Sequence, residues 1–151
     1  MCQIHSEPIH TAEEEIICYK ILKEIEDDNG TEKYVAPCWY FEYEIGDHYV
    51  ESGKSGISID DEDGLCIHGG FFHLLTDMES VKKVFEFYSV VLSPESNFVV
   101  VKCRIPKGTE ISRGKYEDYI MSGLGPGEGN HYIICDSICA KAFDILEIEV
   151  E

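Results

Sequence analysis

A chain of 151 residues with 44% hydrophobic and 11% aromatic residues is long enough to bury a core and too apolar to stay disordered. Thirty acidic residues against 12 basic ones leave a formal net charge of −18. That balance excludes the basic footprint of a direct nucleic-acid binder or of a protein that docks on anionic membranes. No apolar run approaches the roughly 20 residues of a membrane helix. The first residues lack the basic start and apolar stretch of a secretory signal, so one cytoplasmic domain spanning 1–151 is expected. The seven cysteines are odd in number, and several sit in apolar runs. They point to free buried thiols in a reducing compartment rather than to a disulfide framework.

In chain order, residues 1–14 read as a polar N-terminal arm broken by Pro8. Residues 16–22, IICYKIL, are rich in β-formers and predict the first strand. The acidic stretch 23–33 contains Asn29-Gly30, a strong hairpin-turn signal. Residues 39–45 alternate, with Trp39, Phe41, Tyr43 and Ile45 on one face and Tyr40, Glu42 and Glu44 on the other. Ile57 and Ile59 predict a short strand ahead of the acidic run 60–63, and residues 65–67 a short buried one.

The block 64–88 organises the chain. Thr76 and Glu79 have the spacing of a capping box. Met78, Val81, Val84, Phe85 and Tyr88 then share one helical face, opposite Lys82, Lys83 and Glu86. A helix over about 77–88 follows. Beyond it, the run 98–101 predicts a central strand buried on both faces, ended by Pro106-Lys107-Gly108. Residues 109–119 predict a short strand or helical turn, 122–130 a glycine-rich loop, and 132–135 a short apolar strand. In 143–150, Leu146, Ile148 and Val150 alternate with Glu147 and Glu149, giving a closing strand with one wet face. Strands outnumber the helix and do not alternate with helices. The fold class is therefore α+β, with a mainly antiparallel, strongly curved sheet or split barrel and one firm helix.

The candidate site lies beside the double glycine 69–70, with ligand-binding residues Tyr19, Tyr40, His68, Phe72 and His73 and the loop 123–129 as a border. Cys66, His68 and His73, joined by Cys135 and Cys139, offer zinc-type ligands. Their spacing matches no familiar zinc pattern, so no metal is expected. The loop 123–129 lacks Lys and Arg, and its Glu128 would repel a phosphate, so it is no phosphate cradle. No cysteine carries a nucleophile signature, and no cofactor is expected.

The succession IICYKIL, YFEYEIGDHY, GGFFHLLTDMESVKKV and FVVVKCRIPKGTE resembles a group of short uncharacterised bacterial and phage proteins. In these, a central glycine–histidine–(Ser or Thr) block precedes a helix, and a strand ending I-P-x-G follows it. The resemblance covers most of 16–150 and implies an order of elements, not an activity. More distantly, the order of strand, glycine–aromatic strand, capped helix and strand is similar to the ADP-ribosyltransferase fold. That similarity implies a NAD cleft with Tyr19 or His48 on an early strand, Phe72 and His73 on the central strand, and a catalytic Glu147 or Glu149 on a late strand. The chain departs from that family in lacking its His-Gly-Thr or Arg-bearing first strand.

Three functions are compatible with these residues. One is a small acidic ligand- or protein-binding module without catalysis. Another is an ADP-ribosyltransferase-like protein that binds NAD or a related small nucleotide. The third is an acidic inhibitor, mimicking nucleic acid, of a basic protein partner, which would need the acidic runs 24–28 and 60–63 on one face.

Overall fold

The computed structural model describes residues 2–37, 41–91, 97–122 and 129–150. Its strands are β1 (Cys2–Ile4), β2 (His10–Thr11), β3 (Ile16–Glu26), β4 (Glu32–Val35), β5 (Glu42–Tyr43), β6 (His48–Val50), β7 (Gly56–Asp60), β8 (Gly64–Gly69) and β9 (Phe72–Leu75). A single described helix, α1 (Met78–Val91), separates these from β10 (Asn97–Ile105), β11 (Glu110–Ser122), β12 (Gly129–Ala140) and β13 (Ala142–Val150). The strands make one sheet in the order β6-β13-β10-β3-β9-β12-β11-β1-β8-β7, with β2 added to β11, and β4 and β5 added to β3. The fold is α+β: an antiparallel sheet curled strongly into a half-barrel, with one helix packed on it.

Burial follows strand parity. On β3, Cys18 and Leu22 enter a core shared with Val99, Val101, Cys103 and Ile105 of β10 and Phe143 and Ile145 of β13. The alternate residues Ile21, Phe98 and Val100 face α1, against Val81, Val84, Phe87 and Tyr88. The run 98–101 is thus apolar throughout because β10 is covered on both faces, one by core and one by helix. On β13 the register with β10 slips twice: Cys103 faces Ile145 while Lys102 faces Glu147, and Val101 faces Ile148 while Val100 faces Val150. Each slip places an extra residue on β13. The first slip shifts the inward phase from Phe143 and Ile145 to Ile148.

The hairpin forms as predicted. Glu26 pairs with Glu32, Gly30 takes a positive φ of 77°, and Asp27 accepts the amides of Asn29 and Thr31 at 2.9 Å. The helix start differs in its cap. Asp77, not Thr76, is the N-cap: its Oδ1 accepts the Ser80 amide at 2.8 Å. Thr76 only donates to Asp77 Oδ2, at 3.2 Å.

Three further expectations are corrected. The stretch 1–14 is not a free polar arm. β1 lies between β11 and β8, and Gln3 and Ala12 are buried. Gln3 donates to the Ser112 carbonyl and to Ser137 Oγ, each at 3.1 Å, and accepts from Ser6 Oγ at 2.7 Å. The chain approaches so closely there that a Cβ on Gly114 would lie 2.8 Å from the Ile4 carbonyl oxygen. Residues 109–119 hold no short turn; they begin β11, whose long ladder with β12 also absorbs the stretch 132–135. Ile45 is exposed, because the strand expected over 39–45 is described only as Glu42–Tyr43. The short strand expected at Ile57 and Ile59 forms as β7, and both side chains are exposed because β7 is an edge strand.

Candidate functional site

The site begins where the sheet is weakest. β3 pairs with β10 along nine residues from Ile16 to Glu24. On its other edge it meets β9 through one pair, Tyr19 with Leu75, and then takes up β4 only from Lys23 onward. Between these two ladders the sheet is open. A cavity of about 170 Å³ fills the opening and is lined from both faces. Tyr43, Phe41 and Phe72 line it from one core, and Ile21, Leu75 and Tyr88 from the helix side. Its charged and titratable members are Lys20, His73, Glu51 and Asp118, with four tyrosines, Tyr19, Tyr43, Tyr88 and Tyr116.

Lys20 has the same strand parity as Cys18 and Leu22, so it points toward the core rather than to water. Its Nζ donates to the His73 carbonyl oxygen at 3.0 Å, beside the point where the β3–β9 ladder stops. It lies 5.6 Å from the centre of the Tyr43 ring. Among the described residues, no carboxylate forms an ion pair with it. Desolvation lowers its pKa below the usual lysine value.

His73 projects from β9 toward Cys139 on the neighbouring strand, and its Nδ1 lies 3.2 Å from the thiol. Desolvation, and then the nearby Lys20 charge, push its pKa down to about 3. The imidazole is therefore neutral at physiological pH. Its Nε2 is buried and has no hydrogen-bond partner among the described residues. Of the two carboxylates at the cavity, Glu51 accepts the Gly53 amide at 2.8 Å and Asp118 accepts the Tyr116 hydroxyl at 2.9 Å.

An aromatic wall backs Phe72. Its ring meets Phe143 at 4.9 Å, Phe143 stacks on Tyr49 at 5.3 Å, and Tyr49 meets Tyr43 at 5.1 Å. The half-buried Phe72 is therefore fixed by neighbours on one side and faces the cavity with the rest.

Of the residues singled out from sequence, Tyr19, Phe72 and His73 come together at this cavity. His68 does not. It is exposed on β8 and bonded through Nε2 to Ser58 Oγ of β7 at 2.5 Å. His68 and His73 stand on different strands, β8 and β9, with the double glycine between them. Tyr40 and residues 123–128 of the glycine-rich loop lie outside the described residues. Glu147 and Glu149 are exposed on β13, away from His73; Glu147 lies 3.9 Å from Lys102 Nζ. The E-x-E therefore does not share a cleft with His73, as an ADP-ribosyltransferase arrangement would require. His48 pairs instead with Asp144, which also takes Arg104 Nε and Nη2 at 3.0 and 2.9 Å.

Among the described residues, no three His, Cys, Asp or Glu side chains gather to hold a metal ion. Cys66 is buried on β8, and Cys139 touches His73. The acidic runs 24–28 and 60–63 fall on two hairpins, β3–β4 and β7–β8, with β9, β12, β11 and β1 between them in the sheet order. No described helix is long and apolar enough to cross a membrane. Lys20 was not singled out from sequence, and Cys139 was named only among the zinc-type ligands. The available signal for Lys20 was its inward parity with Cys18 and Leu22. No local signal joins Cys139 to His73, 66 positions away.

Compared with family models, with curated proteins and with solved structures, the chain matches none.

Proposed function

We propose that this protein is a small-molecule-binding module whose ligand enters the opening between β3, β9 and β4, and that it catalyses no reaction there. One observation carries the proposal: a cavity of about 170 Å³ opens where β3 leaves β9, walled by apolar and aromatic side chains with Lys20 among its lining. An apolar pocket with a few convergent polar groups is the usual form of a small-molecule site.

Size limits the occupant. A cavity of about 150 Å³ holds benzene, so the opening of about 170 Å³ takes a single small ring or a short branched chain. NAD or another nucleotide exceeds it, since drug-sized ligands need about 300–1,000 Å³. The test is a ligand-detected NMR screen of single-ring and short-chain fragments, repeated on Ala36→Leu, which adds volume at a lining residue. Binding by some fragments of this size, weakened at least tenfold in Ala36→Leu, is expected. A screen without binders, or binding indifferent to the substitution, would overturn the proposal.

A further inference from the structure

Among the described residues β7 pairs on one side only, with β8, and it closes the sheet order. The amides and carbonyls of its outer edge therefore form a template for another strand. We propose that β7 pairs antiparallel with β7 of a second copy of this chain, in the register centred on Ser58, so that two sheets join edge to edge in a symmetric dimer.

Three observations carry the surface and its occupant. First, this edge lacks the usual protection. Natural sheets blunt their edges with short strands, lysines, prolines or bulges. At the other end of the sheet, β6 is three residues long and carries His48, which pairs with Asp144. By contrast β7 runs for five residues, GISID, and presents Ile57 at 44% and Ile59 at 83% exposure. Its irregularity of register lies at its start, between Gly56 and Ile57, and its one charge, Asp60, at its end. Second, the strand is complementary to itself. About Ser58, Ile57 falls opposite Ile59 of the second copy. Within the chain Ile57 already faces Ile67, and Ile59 faces Leu65. The pairing therefore runs Leu65, Ile59, then Ile57 and Ile67 of the second copy, as a continuous apolar row, and the two-fold axis repeats it. Apolar cross-strand pairs of this kind stabilise a ladder. Third, the charges fit a second copy in this orientation. The same register sets the exposed Lys54 opposite Glu62 of the second copy. The acidic turns 61–63 lie at opposite ends of the pair, about 20 Å apart at ~3.4 Å per residue, well beyond the screening length of about 8 Å at physiological salt. A parallel pairing would lay one acidic turn on the other.

The test uses the full chain at physiological salt. One short strand pair falls in the size class of weak, transient contacts, and the charge of −18 opposes self-association. Sedimentation equilibrium under reducing conditions, from about 10 µM to about 0.5 mM, covers the range of such contacts. A monomer–dimer equilibrium is expected there. Ile59→Lys should weaken it by about tenfold or more, since the change enters the two-fold interface twice. Ile59 is so exposed that this variant keeps the fold, which circular dichroism checks. Ser58→Cys tests the register, because its thiol meets its own copy at the two-fold axis. Oxidised glutathione should link two such chains by a disulfide and leave as two molecules of reduced glutathione. Glu62→Cys, set beside Lys54 of the second copy, should link no faster than the wild type, whose own cysteines give the background. A chain that stays monomeric throughout would overturn the inference and leave the edge to a different partner. A dimer indifferent to Ile59→Lys, or Ser58→Cys that links no faster than Glu62→Cys, would overturn it as well.

Discussion

His73 makes the protein's stability depend on pH between the ring's folded and unfolded pKa values. Its pKa is about 3 in the fold and about 6.5 in an unfolded chain. The folded state keeps the ring neutral while the unfolded state takes up a proton, so stability is whole above about pH 6.5 and is lost as pH falls toward 3. At pH 5 the unfolded ring is about 1.5 units below its pKa and the folded ring is still neutral. At 1.36 kcal/mol per unit, the loss from pH 7.5 to pH 5 is about 2 kcal/mol. The lowered carboxylates Asp27, Asp60 and Asp77 act in the same direction. Their loss begins only near the ordinary carboxylate range, about pH 4 and below. Relief of self-repulsion in an acidic chain runs the opposite way, and it cancels when two variants of equal charge above pH 7 are compared. The assay is urea unfolding of the wild type and His73→Gln at half-unit intervals from pH 7.5 to pH 5. The difference between the two should shrink by about 2 kcal/mol across that range. Parallel curves would refute the picture of a desolvated, neutral His73.

Four other outcomes follow from particular contacts. Lys20→Met should leave stability unchanged or raise it by about 1 kcal/mol, because a desolvated cation costs more than its one hydrogen bond returns; a loss of 2 kcal/mol or more in thermal unfolding would mean that Lys20 is a structural anchor. Asp77→Ala should cost about 1 kcal/mol through the loss of the Ser80 amide bond, and Thr76→Ala much less, a contrast that denaturant titration of the two variants resolves. Gly114→Ala should unfold or severely destabilise the protein, since the new Cβ would lie 2.8 Å from the Ile4 carbonyl oxygen and 2.9 Å from Gln3 Cδ, and circular dichroism of the purified variant reads this directly. The native thiols of Cys18, Cys66, Cys103, Cys135 and Cys139 are buried, with burial pushing Cys18 up to about 12 and Cys135 to about 11. A thiol reagent at pH 8 should label these five only after unfolding, as peptide mass spectrometry of native and denatured samples would show.

Why the sequence yields the sheet but not the site comes down to what strand periodicity encodes. The hairpin at Asn29-Gly30 and the doubly covered β10 are local signals, and each forms where it is read. The strand IICYKIL is legible as a strand for the same reason. Its two faces are not, because apolar residues stand on both: Cys18 and Leu22 serve one core and Ile21 the other. In such a strand a lysine offers no sign of its direction, and the usual assumption sends it to water. Only the registers supplied by β10 and β9 turn Lys20 inward. The same holds at Gln3, a polar residue in a stretch that reads as solvated until β11 and β8 enclose it. His73 was legible as a candidate from its place beside the double glycine, but its partner Cys139 depends on the β9–β12 register. The two His73 nitrogens acquire different roles only through that non-local contact. A short β9 that meets β3 at a single pair has no sequence signature either, yet that shortness opens the cavity. The residues that bear on function here are therefore those whose environment is set by pairings far apart in the chain, while the residues that local pattern does place build the walls around them.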